Sequence, residues 1–381
     1  MRRAASALLI ASLTCGLTAG CGEPGPSPED LAAVEYAPDP APDGAVPWPV
    51  STPAEEGLDP DLVAELYWRA DRLETVYSVL VVKNGQLVAE RYYHDGWAGL
   101  QGNVQSVTKS YTSALVGIAL EEGCLPSVDE PMMTYFPELA GRLRDPRKEQ
   151  ITIRELLQMR AGYPWEEASA EGIDLLFAGF RPSNLVDVPL VRDPGTGYDY
   201  SNLSSHLLAI IVSRACGGDL QDFAQEHLFE PLGSEPLDWT ADWEGYRLGF
   251  TELFLAAREL ARFGQMYLDD GRWDGQQVVP AAWVEESWTS YTENAWRYAG
   301  VGRNWGRRAY GYQWWIIEAG PHTYNLAWGH GGQQIAILPE LDLMIVVTAD
   351  PLYGQMGDGP WALEKANLNL VADFVAGLPS A

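Results

Sequence analysis

Lysine is scarce in this chain: Lys83, Lys109, Lys148 and Lys365 are four of 25 basic residues, so a lysine inside a motif stands out. Basic charge as a whole is short, with 53 acidic residues against it and a formal net charge of −28. Such a surface repels phosphate backbones and argues against nucleic acid or an anionic membrane surface as partner. After the first residues no apolar run reaches the roughly 18 to 20 residues that a spanning helix needs. There is no Gly-x-Ser-x-Gly elbow, His-Glu-x-x-His pair, phosphate-binding loop or Gly-x-Gly-x-x-Gly turn. The five histidines, His94, His206, His227, His322 and His330, show no metal-ligand spacing, and no Cys-x-x-Cys occurs. The expectation is therefore chemistry without a metal or cofactor. What the chain does have is 381 residues with 46% apolar content, enough for a substantial core.

The amino-terminal region reads as an address. Arg2 and Arg3 precede a mostly apolar stretch from Ala4 to Leu17, followed by Thr18-Ala19-Gly20-Cys21, the layout of an export signal over residues 1–20. Cys21 after Ala-Gly resembles a bacterial lipoprotein cleavage box and would become the lipidated first residue, although Thr18 stands where Leu is usual. Ordinary cleavage with a free Cys21 is the alternative; either way the expected location is periplasmic or otherwise extracytoplasmic. Residues 21–54 are rich in proline and lack apolar periodicity, so they read as an extended linker without secondary structure, leaving 55–381 as the functional domain. Once Cys15 leaves with the signal, Cys124 and Cys216 remain in an oxidising compartment, where a disulfide and two buried thiols both stay open.

Two β-rich runs flank Asn84-Gly85 between residues 77 and 93, a strong hairpin signal. Helical spacing follows from Ser106 to Glu122, near Thr152 to Met159, and over Asn202–Cys216, Leu220–Leu228 and Glu252–Asp269. Strand patterns return at Tyr312–Glu318, Tyr324–Trp328, Gln334–Leu338 and Leu343–Thr348, and a last helix fits Trp361–Val375. The expected fold is α+β: one antiparallel sheet built from both chain ends, flanked by helices, with a mainly helical inserted lobe and a cleft between the two.

Ser106-Val107-Thr108-Lys109 places a hydroxyl and an amine one helical turn apart on the same face. Serine is a poor nucleophile until a base takes its proton, and an amine in a dry cleft can have its pKa lowered enough to serve. Tyr200-Ser201-Asn202 brings a phenol and an amide to a loop-to-helix junction, where Ser201 or Asn202 also suits a plain N-cap. His330-Gly331-Gly332 lies between two strands, where glycines allow close backbone approach to a bound carbonyl or simply form a turn.

Taken together and in this order, the three elements resemble those of the serine β-lactamase and penicillin-binding-protein superfamily, in the branch of class C enzymes, family VIII esterases and 6-aminohexanoate-dimer hydrolases. The resemblance covers roughly residues 55–378 and extends to Leu260-Ala261-Arg262-Phe263-Gly264 and Gly311-Tyr312-Gln313-Trp314-Trp315. It implies that Ser106 forms an acyl-enzyme, that Lys109 and Tyr200 move its proton, and that Asn202 orients Lys109 and the substrate. It also implies an oxyanion hole made by the backbone N–H groups of Ser106 and Gln333. His330 stands where β-lactamases and peptidases usually carry the lysine that helps hold a substrate carboxylate, which turns the expectation from those enzymes toward esterases and amide hydrolases. His330 and Gly332 are expected to border the substrate, and Tyr163 lies where the dimer hydrolases have a tyrosine on a closing loop. Trp296, Trp305, Trp314, Trp315 and Trp328 should border the cleft or fill the sheet core, with core favoured for at least three.

The expected function is hydrolysis of small esters or amides through Ser106. The rivals are a DD-peptidase or β-lactamase and, outside enzymes, an envelope binding protein. Specificity is expected in the loops Gly162 to Asp193 and Tyr291 to Tyr310.

Overall fold

The computed structural model describes residues 25–34, 36, 48–177, 179–296, 301–352 and 360–380. The export segment 1–20 and Cys21 lie outside the described residues.

Asn84 and Gly85 both take positive φ, 53° and 72°, as the tight turn between β1 (Val76–Lys83) and β2 (Gln86–Tyr92) requires. The rest of the main sheet comes from the other end of the chain: β3 (Trp305–Tyr310), β4 (Trp315–Ala319), β5 (His322–Gly329), β6 (Gln333–Leu338) and β7 (Leu343–Ala349). The strand order is β2-β1-β7-β6-β5-β4-β3, antiparallel throughout, and the chain ends meet where Val79 stands opposite Val347. Side chains alternate across it. Leu80, Val82, Met344 and Val346 enter one core, while Val79, Val81, Ile345 and Val347 enter the other. Burial on both faces explains why these strands read as continuous apolar runs.

The principal helices are α1 (Pro60–Asp71), α2 (Thr108–Glu121), α3 (Asn202–Cys216), α4 (Ala257–Leu268) and α5 (Pro360–Gly377). Helices α1 and α5 pack together on one side of the sheet, and α4 lies against β1, β6 and β7 on the other. Gly264 sets that approach, since a Cβ there would meet Met344 Sδ at 2.2 Å. Helices α2 and α3 lie side by side in the inserted lobe, and Cys124 and Cys216, at their carboxy-terminal ends, form a disulfide with Cα atoms 5.0 Å apart.

Three elements differ from expectation. The pattern beginning at Glu252 is first a short strand, Leu253–Leu255, paired with Gly102–Asn103, and the helix starts only at Ala257. The strand expected from Tyr312 starts at Trp315, because Gln313 turns the backbone at φ 62° and donates its side-chain amide to the carbonyls of Leu156 and Leu157. Within the proline-rich linker, Pro28–Ala32 is a helical turn held by a Ser27–Asp30 capping box.

Candidate active site

Ser106 sits on a tight turn, Gln105–Val107, that opens directly into α2. Gln105 is held at φ 52°, a strained value for a residue with a Cβ. Its backbone N–H bonds Asn103 Oδ1 at 2.8 Å, and its side chain accepts from Thr251 Oγ1 at 3.1 Å. The strain buys a fixed position for the next residue. One turn on, Lys109 is buried and its Nζ donates to Ser106 Oγ at 2.8 Å and to the Phe250 carbonyl at 3.1 Å. Burial pulls the Lys109 amine down to about 7, against the opposing pull of Glu167 and Glu166.

Tyr200 precedes α3 and carries its ring to within 4.8 Å of Lys109 Nζ. Burial raises the phenol well above its ordinary value, only partly offset by its hydrogen bond with Ser106, so it stays protonated at neutral pH. Ser106, Lys109 and Tyr200 thus meet at one point, from two neighbouring helices of the inserted lobe. Ser201 is also the N-cap of α3, accepting from Ser204 N at 3.1 Å, so the structural and site readings of this segment hold together.

Other expected site residues are placed differently. Asn202 Nδ2 donates to Glu167 Oε1 at 2.7 Å, while Lys109 is held by Phe250; Asn202 therefore orients Glu167 in this arrangement. Tyr163 is buried in the core with its hydroxyl on Met132 Sδ at 3.9 Å, away from the cavity, because the loop turns Trp165 inward instead. Gly332 is a turn residue: its N–H bonds the Gly329 carbonyl at 3.0 Å, its φ is 94°, and a Cβ would lie 2.5 Å from that of Asn367. The Gln333 side chain is locked in a two-way bond with the Ala349 backbone, leaving only its main chain for a substrate.

His330 does face the cavity, and its Nδ1 lies 3.0 Å from Glu364 Oε2 on α5. Burial works to lower the imidazole, but hydrogen bonding and charge from Glu364, with Glu167, raise it above its ordinary value. Glu364 itself is buried and accepts from Trp328 Nε1 at 2.8 Å.

The cavity in front of Ser106 is about 390 Å³. Trp296, Trp315 and Trp328 line it, joined by Trp165 and Trp361, while Trp305 and Trp314 are excluded. Trp305, Trp314, Trp315 and Trp328 are all buried in the core, as expected for at least three of the five, and Trp315 and Trp328 present a face to the cavity as well. Trp165, Glu166, Glu167, Trp361 and Glu364 carried no sequence signal of their own, though the first three fall inside the loop expected to set specificity. The spacing of Trp361 and Glu364, three apart at the start of a helix, puts them on one face and was the one available hint. Glu166 fixes the loop to α3: it is buried and accepts from Ser201 Oγ at 2.7 Å and from the backbone N–H of Asn202 at 2.8 Å.

The chain matches the family described as Beta-lactamase over residues 70–367. It is 28% identical over 317 residues to a 6-aminohexanoate-dimer hydrolase from Paenarthrobacter ureafaciens, covering 78% of this chain and 79% of that one. Among solved structures it is similar to EstCE1, described as a hydrolase with promiscuous acyltransferase activity, with a TM-score of 0.65, 16% identity and coverage of 83% and 98%. The octameric penicillin-binding protein homologue from Pyrococcus abyssi superposes with a TM-score of 0.60 at 20% identity, covering 82% and 77%.

Proposed function

The chain belongs to the beta-lactamase family, and from that premise we propose that it hydrolyses small ester or amide bonds through an acyl-enzyme on Ser106. The observation that carries this reading is the 2.8 Å contact between a buried Lys109 Nζ and Ser106 Oγ, with the amine pulled down to about 7, so that about half of it is neutral and able to accept a proton at pH 7. Ser106 Oγ attacks the carbonyl carbon as its proton passes to Lys109. The carbonyl oxygen becomes the oxyanion, for which the backbone N–H groups of Ser106 and Gln333 are the donors carried over from the family. Tyr200, a phenol rather than a phenolate, hands its proton to the leaving alkoxide or amine and regains one through Lys109. Water then attacks the acyl carbon by the reverse relay and restores Ser106.

Pairing of His330 with Glu364 favours esters and amides over penicillins and peptidoglycan stems, because an imidazole already facing a carboxylate is a poor anchor for a second one. The test is intact-protein mass spectrometry after brief exposure to a p-nitrophenyl ester, a linear amide dimer and a penicillin. A transient acyl mass from the ester or amide, mapped to Ser106 and missing in Ser106→Ala, is the expected result; a persistent penicilloyl mass alone favours the DD-peptidase or β-lactamase reading.

We also infer export, with Cys21 as the lipid-bearing residue, from the Arg2-Arg3 start, the apolar stretch and the Ala19-Gly20-Cys21 box. Expressed in a bacterial host and fed a labelled fatty acid, the full chain is expected to incorporate label and sediment with membranes, and Cys21→Ser to lose both. Unlabelled, soluble wild-type protein would sink the anchor.

A further inference from the structure

Behind the reacting groups lies a buried pair that the acyl-transfer scheme leaves unused. His206, one turn along α3 from Asn202, has its Nε2 3.1 Å from Asp242 Oδ2, and the two side chains are 0% and 2% exposed. The other oxygen, Asp242 Oδ1, accepts from the backbone N–H groups of Glu244 and Tyr246 at 2.8 and 2.9 Å. Burial works to raise the Asp242 carboxyl, but the hydrogen bond and charge of His206, with those two N–H groups, hold it below its ordinary value, so it is a carboxylate. A carboxylate only accepts, and Nε2 is therefore the donor. The His206 Nδ1 is buried without a hydrogen-bond partner among the described residues, and the ring stands against Phe180 and Phe250 at centroid separations of 5.3 and 5.9 Å.

Asp242 sits in a small hairpin that leads to Lys109. The Leu248 N–H bonds the Thr240 carbonyl at 2.9 Å, Trp239 Nε1 donates to the Leu248 carbonyl at 2.9 Å, and the Asp242 N–H bonds the Tyr246 carbonyl at 2.7 Å, so residues 239–248 are tied into one piece. Two residues on, the Phe250 carbonyl accepts from Lys109 Nζ at 3.1 Å. Between them Gly249 runs so close to α3 that a Cβ would lie 2.4 Å from the Ser205 carbonyl oxygen, and its own carbonyl accepts from Thr112 Oγ1 at 2.8 Å. With no side chain at Gly249 to hold that seat, the grip of His206 on the hairpin governs how Phe250 presents its carbonyl.

We propose that His206 and Asp242 are positioning residues: their bond latches the hairpin to α3 and thereby holds the Phe250 carbonyl, and with it Lys109 Nζ, in line with Ser106. The consequence for turnover rests on the serine hydrolase reading above; the placement of Lys109 does not.

His206→Leu removes the donor, whereas His206→Gln lacks the ring but keeps an N–H that can reach Asp242. Misplacing a catalytic group by about 1 Å can cost about 100-fold. For a p-nitrophenyl ester, His206→Leu is expected to lower kcat about tenfold or more with KM within about twofold, and His206→Gln to stay within about threefold of wild type, with rates taken per folded molecule. If His206→Leu does not fold, His206→Phe, which keeps a flat ring without a donor, takes its place. A second readout needs no turnover. The chain has four lysines, so with isotope-labelled lysine the Lys109 NMR resonance can be assigned by its loss in Lys109→Met. It is expected to move in His206→Leu and to stay in place in His206→Gln; both lack the imidazole, so the difference is not a magnetic effect of the ring. An unmoved Lys109 resonance in His206→Leu, equal losses in the two variants, or a raised KM at constant kcat overturns the proposal. If wild type turns over no ester, the hydrolase reading falls and the Lys109 resonance alone decides the latch.

Discussion

Ser106→Ala and Lys109→Met are each expected to lower kcat/KM for a p-nitrophenyl ester by about 10⁴-fold, and the double variant by hardly more than either alone. The reason is that the two side chains perform one step. Without Lys109 the Ser106 hydroxyl keeps its proton, and without Ser106 the amine at 2.8 Å has no nucleophile to activate. Additive losses would mean separate functions and would remove Lys109 as the base. The same geometry fixes a pH profile. Burial depresses Lys109 to about 7, and only the neutral amine accepts a proton, so wild-type kcat/KM should rise through pH 7 and fall about tenfold per unit below it. The burial-raised phenol of Tyr200 predicts that its own ionisation does not reduce activity across the neutral range. Methionine replaces the amine with an apolar chain of similar length in a buried slot, so the Lys109 variant should keep its circular dichroism while losing turnover. A rate that is flat between pH 5 and 8 in wild type would count against a depressed lysine.

The central pair was legible in the sequence because its geometry is local: three residues along one helical turn fix the Ser106 to Lys109 distance whatever surrounds them. The sheet was legible for a similar reason, with Asn84-Gly85 supplying a turn whose two positive φ values few other dipeptides accept. What could not be read is what tertiary packing brings in. Glu364 reaches His330 only because α5, 34 residues further along the chain, packs back on the sheet face across β5 and β6. Tyr163 and Trp165 are two residues apart in one loop, and nothing in their chemistry tells which enters the cavity. The structure decides it through Glu166, whose buried carboxylate pins the loop to the start of α3. Gly332 shows the converse: its glycine identity was informative, but the demand came from Asn367 and the turn rather than from a substrate. Cys124 and Cys216 lie 92 residues apart, and only the side-by-side packing of α2 and α3 unites them.

The largest stability loss is expected from Arg258→Met, at about 3–5 kcal/mol in urea unfolding. Arg258 on α4 grips Glu90 on β2 through two bonds, Nε to Oε1 at 2.7 Å and a terminal guanidinium nitrogen to Oε2 at 2.6 Å. The side chains are 8% and 0% exposed, so neither charge has water to fall back on. Tyr92 adds its hydroxyl to Oε1 at 2.6 Å, but that one donor leaves a buried carboxylate far from satisfied once the guanidinium is gone. Hydrogen bonding to Glu90, more than burial, sets the guanidinium, and holds it above even its usual high value. The pair is worth little as a net source of stability, because both ions were taken out of water to make it. Its removal as a unit should therefore be mild: Glu90→Leu combined with Arg258→Met is expected to recover most of the single-variant loss. A double variant as unstable as Arg258→Met alone would show that the side chains are held by packing volume and not by charge. Neither Glu90 nor Arg258 lines the cavity in front of Ser106, so Ser106 acylation in the folded fraction should be unchanged in either variant, which separates a damaged fold from a damaged site.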